Sequence, residues 1–180
     1  MIETSSSKAN LLVPVPMLLT TVASSGKPNI CTMSYFACIH FEPPTVVLSL
    51  HSGHQTAANL NETKKFVINV PKKSKQMVDL VMQVSGLSGS DTDKFERFNI
   101  DVEIEPEWPP YLRNTSALCL FGEVKNKFDH SDDRILFLGE IERVLMDESL
   151  DVGDKRPEHI WKLFEKAALS HSEVYISEGK

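Results

Sequence analysis

A short polar segment, Ser49-Leu50-His51-Ser52-Gly53-His54-Gln55-Thr56, has residue types that can hold a phosphate group. It follows a β-type run and precedes a predicted helix. The first turn of a helix carries free N–H groups and the positive end of the helix dipole, so it attracts anions. Ser52 and Thr56 offer hydroxyl donors, and His51 and His54 offer imidazole N–H groups. Ser or Thr at a helix start is equally typical of ordinary capping, so from this segment alone both interpretations stay open.

A second segment, residues 28–36, combines small polar side chains with apolar ones just after a turn. Asn29, Thr32 and Ser34 are spaced irregularly among Ile30, Cys31 and other apolar residues. A planar heteroaromatic ring with polar edges needs such a surface, because the flat backbone leaves N–H and C=O groups accessible. A half-buried strand with its polar residues facing solvent would have the same composition, so this segment too has two interpretations.

Several classes of chemistry lose their main support. The chain has no G-x-S-x-G, G-x-G-x-x-G or Walker motif, which argues against a serine hydrolase, a Rossmann dehydrogenase and a P-loop enzyme. His51 and His54 are a candidate metal pair, but no carboxylate accompanies them, and we expect no metal site. Cys31, Cys38 and Cys119 include no C-x-x-C pair, so we expect reduced, packed thiols, with a redox role for Cys31 as the alternative.

Length and charge limit the choice of partner. The 180 residues fit one domain, and 19 basic against 25 acidic residues give a formal charge of −6. No basic run offsets this balance, so we expect no nucleic acid as a partner. The N-terminus lacks the basic start of a signal peptide, and the apolar residues 11–19 are interrupted by Pro14 and Pro16. We therefore expect a cytoplasmic protein with no membrane partner and with a small molecule or another protein as its ligand.

The hydrophobic pattern predicts a mainly β chain with a few short helices. Helices are predicted at residues 54–62, 72–85, 93–98 and 157–168, the second because Met77, Leu80, Val81 and Val84 form one apolar stripe. Strands are predicted at residues 17–23, 30–39, 45–50, 66–70, 117–128, 134–146 and 174–177, with a hairpin loop at residues 129–133. The absence of strict β-α-β alternation favours an antiparallel barrel or sandwich.

The two polar segments belong to an ordered set of motifs that resembles the flavin reductase-like family, which are FMN-binding split barrels. The set comprises Pro16, Thr20-Thr21, residues 26–29, residues 34–36, Pro43-Pro44, Thr56, residues 66–71, Gly86, residues 93–96, residues 122–124 and residues 138–141. The resemblance implies a single domain over residues 1–180, with a core at about 13–145 and a C-terminal helix and strand at 157–177. It also implies a six-stranded antiparallel Greek-key split barrel and a homodimer with FMN at the subunit interface.

The resemblance further implies which residues bind the cofactor. Asn29 and the stretch Thr32, Met33, Ser34 and Tyr35 would line the isoalloxazine ring, largely through backbone groups. Ser49, Leu50 and His51 would pass under the ribityl chain, His54 and Thr56 would hold the phosphate, and Lys94 would approach the flavin. Many relatives have Arg or Lys in the phosphate loop where this chain has His51, His54 and Gln55. A histidine neutralises less charge, so we expect modest, pH-dependent FMN affinity.

The implied function is an FMN-binding oxidoreductase of the flavin reductase type. Such an enzyme moves electrons from NADH or NADPH through FMN to a second small-molecule acceptor, and no side chain needs to act as an acid or base in the hydride step. Two alternatives stay open. One is an FMN-binding electron-relay protein without its own NAD(P)H activity, and the other is a split-barrel interaction module that has lost the flavin.

Overall fold

A computed structural model describes residues 16–150 of the chain. Seven strands and three α-helices follow one another in these residues, with a 3-10 turn at Glu148–Leu150. The strands are β1 (Met17–Val22), β2 (Pro28–Met33), β3 (Phe36–Phe41), β4 (Pro44–His51), β5 (Lys65–Pro71), β6 (Ser116–Ser131) and β7 (Arg134–Met146). The helices are α1 (Gln55–Thr63), α2 (Lys75–Ser85) and α3 (Lys94–Arg97).

All seven strands form one antiparallel sheet in the order β2-β1-β5-β6-β7-β4-β3. The consecutive strands β5, β6 and β7 are hydrogen-bonded neighbours, and β4, which leads into β5 through α1, pairs with β7. This arrangement of four strands is a Greek key, and the mainly β antiparallel architecture predicted from the sequence is confirmed.

The number of strands differs from the prediction. Residues 30–39 were expected to form one strand of a six-stranded barrel, but they divide between β2 and β3, which lie at opposite edges of a seven-stranded sheet. Only Ser34 and Tyr35 connect these two edge strands, so the ends of the sheet are at most about 11 Å apart at that point. The sheet therefore curves into a barrel that stays open between β2 and β3, because the two strands do not pair with each other.

The interior of the barrel holds the larger of the apolar cores. Phe66 of β5 is fully buried there, and its ring fills the space above two glycines, Gly122 of β6 and Gly139 of β7. A second core lies outside the barrel, where Met77, Val81 and Val84 of α2 pack on Leu18 and Ile30. The apolar stripe predicted for α2 thus fixes this helix to the face of β1 and β2.

The predicted helices form with shifted ends. Helix α2 begins at Lys75 rather than at residue 72, because the Ser74 hydroxyl accepts a hydrogen bond from Met77 N–H and caps the first turn. The hairpin between β6 and β7 is tighter than the predicted loop, since β6 continues to Ser131. The predicted helix 157–168 and strand 174–177 lie outside the described residues. Within residues 16–150, no helix has the length and apolar character needed to cross a membrane.

Candidate functional site

A cavity of about 260 Å³ opens beside the free edge of β2. Three other elements close around this edge: the start of α1, the loop that follows α2, and α3. The lining residues are Asn29, Cys31, Thr32, His54, Gln55, Thr56, Val84, Ser85, Gly86, Leu87, Ser88, Gly89 and Lys94. Because β2 is an edge strand, one row of its backbone groups has no partner strand, and these groups face this side of the molecule.

Asn29 and Thr56 join β2 to α1 at the base of the cavity. Asn29 Nδ2 donates to Thr56 Oγ1 at 2.9 Å, and both side chains are buried. Asn29 Oδ1 is buried without any hydrogen-bond partner in the described residues, against the backbone of Gly89. A half-turn of the amide would let Oδ1 accept from the Thr56 hydroxyl and leave an N–H donor at the position of the orphan oxygen. This pair can therefore present a donor to an anionic or carbonyl group.

Lys94 brings a positive charge to the same cavity. Only 4% of the residue is exposed, and its Nζ donates to the backbone oxygen of Ile30 at 2.9 Å. Burial lowers the pKa of Lys94, and the nearby Cys31 thiol acts in the opposite direction. In the structure described, no carboxylate forms an ion pair with Lys94, so the cavity holds a cation whose ammonium has donors left for an anion.

The start of α1 is the only uncapped helix start among the three described. Ser74 caps α2, and Asp93 caps α3 by accepting from Phe95 N–H and Glu96 N–H, whereas the side chain of His54 makes no capping bond. The first N–H groups of α1 are thus free of a side-chain acceptor and lie beside Thr56 and Lys94 in the cavity wall. Uncapped N–H groups with a buried cation nearby form an arrangement that binds phosphate.

A second polar group lies around the outer rim of the cavity. The rings of His51 and His54 are stacked, with centroids 4.7 Å apart. Strand pairing sets Arg134, the first residue of β7, opposite His51, and the Arg134 guanidinium lies 5.4 Å from the ring centroid of Tyr35. The pKa of His54 is lowered by partial burial and, to a smaller degree, by the positive charges of His51, Arg134 and Lys94. His54 therefore stands between two sets of basic groups.

The residues predicted from the sequence fall into three sets. Asn29, Thr32, His54, Thr56 and Lys94 line the cavity together. Tyr35, Ser49 and His51 lie in the outer group, together with the half-buried Ser34 that precedes Tyr35. Ser49 N–H donates to Tyr35 O at 2.9 Å. The side chains of Met33 and Leu50 are buried in the barrel core, so these two residues can face a ligand only through their backbones.

Sequence reasoning overlooked Arg134 and the loop after α2. The only signal for Arg134 was its place at the start of a predicted strand, and its position beside His51 depends on the pairing of β4 with β7, which are far apart in the chain. Thr32 Oγ1 donates to Val81 O at 2.7 Å and so attaches α2, with its following loop, to the edge of β2. Gly86 was noted only as a helix end, yet residues 85–89 form one wall of the cavity.

Metal binding and thiol chemistry have little support in the part of the chain that the structure describes. In residues 16–150, no group of three or more His, Cys, Asp or Glu side chains is arranged to hold a metal ion. All three cysteines are free thiols. Burial raises the pKa of the Cys31 thiol, although the Thr56 hydroxyl and Lys94 act against this effect, so the thiol form predominates at neutral pH.

Comparison with known proteins gives a family match over most of the chain. The family model described as "Flavin reductase like domain" matches residues 11–158. Among solved structures, the flavoredoxin of Desulfovibrio vulgaris (Miyazaki F) is 23% identical, with a TM-score of 0.72 over 85% of this chain and 81% of that one. The flavoredoxin from Methanosarcina acetivorans is 21% identical, with a TM-score of 0.71 over 84% and 78%. An FMN-binding protein from Thermus thermophilus, solved with 1-cyclohex-2-enone, is 20% identical, with a TM-score of 0.67 over 76% and 72%.

Proposed function

Because this chain belongs to the flavin reductase-like family, we propose that it is an FMN-dependent oxidoreductase that takes electrons from NADH or NADPH and passes them to a second small-molecule acceptor. The observation that carries this proposal is the convergence of Asn29, Thr56, Lys94 and the uncapped start of α1 on one cavity. Because Thr56 Oγ1 accepts from Asn29, its own hydroxyl proton stays available, so Thr56, Lys94 and the start of α1 offer the donors that a phosphate and the carbonyl edge of a flavin require.

The residues present fit FMN. Thr56, the first N–H groups of α1 and the His54 ring would hold the phosphate, and Lys94 would supply positive charge to the flavin. The open edge of β2 from Asn29 to Met33 would present backbone donors and acceptors to the ring. Bound FMN would supply the two-electron redox chemistry between the nicotinamide and the acceptor. Positive charge on Lys94 would favour the reduced, anionic ring.

We extend the proposal to a homodimer, because one chain encloses only part of the ligand. The cavity of about 260 Å³ is below the range of about 300–1,000 Å³ usual for ligand sites. Next to it, the outer face of β3, β4, β7 and β6 has two cross-strand rows, Ala37-Val47-Leu138-Asn126 and Ser49-Leu136-Phe128, in which Asn126 and Ser49 are the polar members. Phe128 is 55% exposed, and the helices pack on the sheet at β1 and β2 instead. A second copy on this apolar face would supply the missing wall by two-fold symmetry.

Absorbance spectroscopy tests the oxidoreductase proposal. Protein incubated with FMN and freed of excess flavin should retain the flavin spectrum, and NADH or NADPH should bleach it without air. Retention of flavin without bleaching favours the electron-relay protein. Failure to retain or bind FMN favours the interaction module. Thr56→Val should weaken FMN binding by about tenfold, because it removes one phosphate donor. Thr45→Val, at an exposed hydroxyl of β4 far from the cavity, is the matched control.

Sedimentation analysis tests the homodimer. Leu138→Glu places a charge in the middle of the apolar face, and we expect a monomer with weakened FMN binding. Val144→Glu makes the same change at an exposed position near the other end of β7 and should leave the dimer intact. A wild-type monomer that holds FMN tightly would refute the proposed homodimer but would leave the description of the fold unchanged.

A further inference from the structure

The outer group adds a full positive charge, on Arg134, outside the cavity. In the proposed binding mode His54, Thr56 and the start of α1 hold the one phosphate of FMN, and Lys94 faces the flavin. His51 and Arg134 lie beyond them and do not line the cavity. In a chain with a formal charge of −6, an arginine without an ion pair beside a histidine points to a further anion.

The outer basic groups form no ion pair. Among the described residues, no carboxylate lies within ion-pair distance of Arg134. The neighbouring Asp133 accepts from the Ser131 hydroxyl at 2.7 Å, and this bond, with smaller effects from His51 and Arg134, lowers its pKa. Gly53 N–H donates to His51 Nδ1 at 3.1 Å, which leaves Nε2 as the protonated, donating nitrogen of a neutral ring. Both side chains therefore have donors available to a ligand.

The loop geometry holds these donors in place. Ser52 N–H donates to Asp133 O at 2.9 Å, and Ser52 Oγ donates to Asp132 O at 3.3 Å. These two bonds tie the loop after β4 to the turn before β7, so that His51 and Arg134 stay side by side. Donors held in this way lose little freedom when a ligand binds.

Tyr35 adds an aromatic surface to the same place. Tyr35 is 44% exposed, the Arg134 guanidinium lies over its ring, and its backbone oxygen accepts a hydrogen bond from Ser49 N–H. An exposed ring beside an arginine is a stacking surface for a nucleotide base, and the adjacent Arg134 guanidinium suits the phosphates of the same nucleotide. Neither feature is required for a flavin that lies in the cavity behind His54.

We propose that His51, Arg134 and Tyr35 form an outer nucleotide subsite, which binds the phosphates and the base of the nicotinamide dinucleotide while FMN occupies the cavity. The identity of this ligand, a nicotinamide dinucleotide, rests on the proposed function. Arg134 and His51 bind the phosphates through charge-assisted or neutral N–H donors, and Tyr35 stacks on the base. These are binding residues, and no bond is made or broken at this subsite.

Adenosine 5′-diphosphate is the probe, titrated by calorimetry into FMN-loaded protein. Wild type should bind it, and Arg134→Gln should weaken this binding by about tenfold or more, since one charge-assisted bond to phosphate contributes about that factor. FMN affinity should change less than about threefold. Tyr35→Leu should weaken binding of the nucleotide but not of inorganic pyrophosphate, which has no base. Arg113→Gln, an exposed arginine near the opposite end of β6, makes the same change in charge as a control, and melting curves verify that each variant folds.

Two outcomes overturn the subsite. One is wild-type protein that does not bind the probe, or whose affinity for it is unchanged by Arg134→Gln. The other is an Arg134→Gln variant that loses FMN affinity as strongly as probe affinity, which would place Arg134 at the phosphate of the cofactor. Failure of the proposed function looks different: NADH and NADPH would not bleach the flavin, although the probe still bound through Arg134. In an active enzyme, Arg134→Gln should raise KM for the dinucleotide with little change in kcat.

Discussion

Asn29 Nδ2 donates to Thr56 Oγ1 at 2.9 Å, and this bond joins the edge strand β2 to the first turn of α1. The two residues are 27 positions apart in the chain, and each was singled out from the sequence for a different part of the ligand. Their contact means that the predicted ring surface and the predicted phosphate position meet at one place. A ligand bound along β2 can therefore reach the start of α1 without leaving the cavity.

We predict that Gly89→Ala weakens FMN binding by about tenfold. A Cβ at Gly89 would overlap Asn29 Oδ1 and lie 2.7 Å from Asn29 Cγ, so either the loop or the amide must move and the bond to Thr56 is disturbed. Flavin fluorescence titration measures the affinity. Gly86→Ala, in the same loop, is the control, because its nearest atom would be 4.0 Å from the new Cβ.

A double-mutant cycle tests the cause of this effect. Once Asn29→Ala has removed the amide, adding Gly89→Ala should cost little further affinity, because the overlapping atoms are gone. Additive losses in the double variant would mean that Gly89 acts on the ligand independently of Asn29.

We predict that FMN binding is accompanied by proton uptake at His54. Its pKa is lowered in the free protein, chiefly by burial and then by neighbouring positive charges, so near neutral pH the ring is mostly neutral. A bound phosphate favours the protonated ring and raises this pKa. Affinity should therefore rise as the pH falls from 8 toward 6.5, above the range in which the phosphate itself takes up its second proton near pH 6.

Calorimetry in two buffers of different ionisation enthalpy measures the number of protons taken up. His54→Gln should reduce this number, because glutamine does not titrate, while His40→Gln, on the exposed strand β3, should not. Equal proton uptake in wild type and His54→Gln would assign the pH dependence to another group.

We predict that the contact between Glu105 and Arg143 makes stability sensitive to acid. Two N–H groups of Arg143 donate to the Glu105 carboxylate, and the Tyr111 hydroxyl donates to it at 2.5 Å. These bonds lower the pKa of Glu105 from 4.5 to about 2. A carboxyl whose pKa is lower in the folded state contributes stability that is complete above pH 4.5 and is lost as the pH falls toward 2.

Urea unfolding between pH 2.5 and 7 checks this dependence. Arg143→Gln should lower stability at pH 7 and flatten the fall in stability below pH 4.5, because the main cause of the lowered pKa is gone. Arg97→Gln, an exposed arginine of α3, should leave the slope unchanged. The hypothesis fails if the slopes of wild type and Arg143→Gln are the same.

We predict that Gly122→Ala destabilises the fold by about 1–3 kcal/mol through overpacking of the barrel core. A Cβ there would lie 2.8 Å from Cε2 of Phe66 and 2.9 Å from the backbone oxygen of Glu140. Phe66→Leu should partly relieve the conflict with the ring. Chemical denaturation of both single variants and the double variant measures the change in the free energy of unfolding. Gly53→Ala is the control, because the nearest atoms to its new Cβ would be 3.4 Å away.

Most local structure was predictable because local patterns specify it. The continuous β-type run of β4, the apolar-polar pattern of β7, the apolar stripe of α2 and the polar segment before α1 depend on residues within a few positions of one another. Individual residues such as Asn29, His54, Thr56 and Lys94 were identified by their types and by family resemblance, and the structure brings these four to one cavity. Their roles toward a ligand stay predictions.

What only the tertiary structure decided depends on contacts between distant segments. Residues 30–39 contain neither Gly nor Pro, so no strong local turn signal separates β2 from β3, and the break at Ser34–Tyr35 exists because the two halves pair with β1 and β4. Arg134 reaches His51 only through the pairing of β4 with β7. Side-chain period and turn residues are local quantities that a sequence displays directly. The choice of partner strand is settled by the free energy of the whole packed barrel, which no short window of sequence contains.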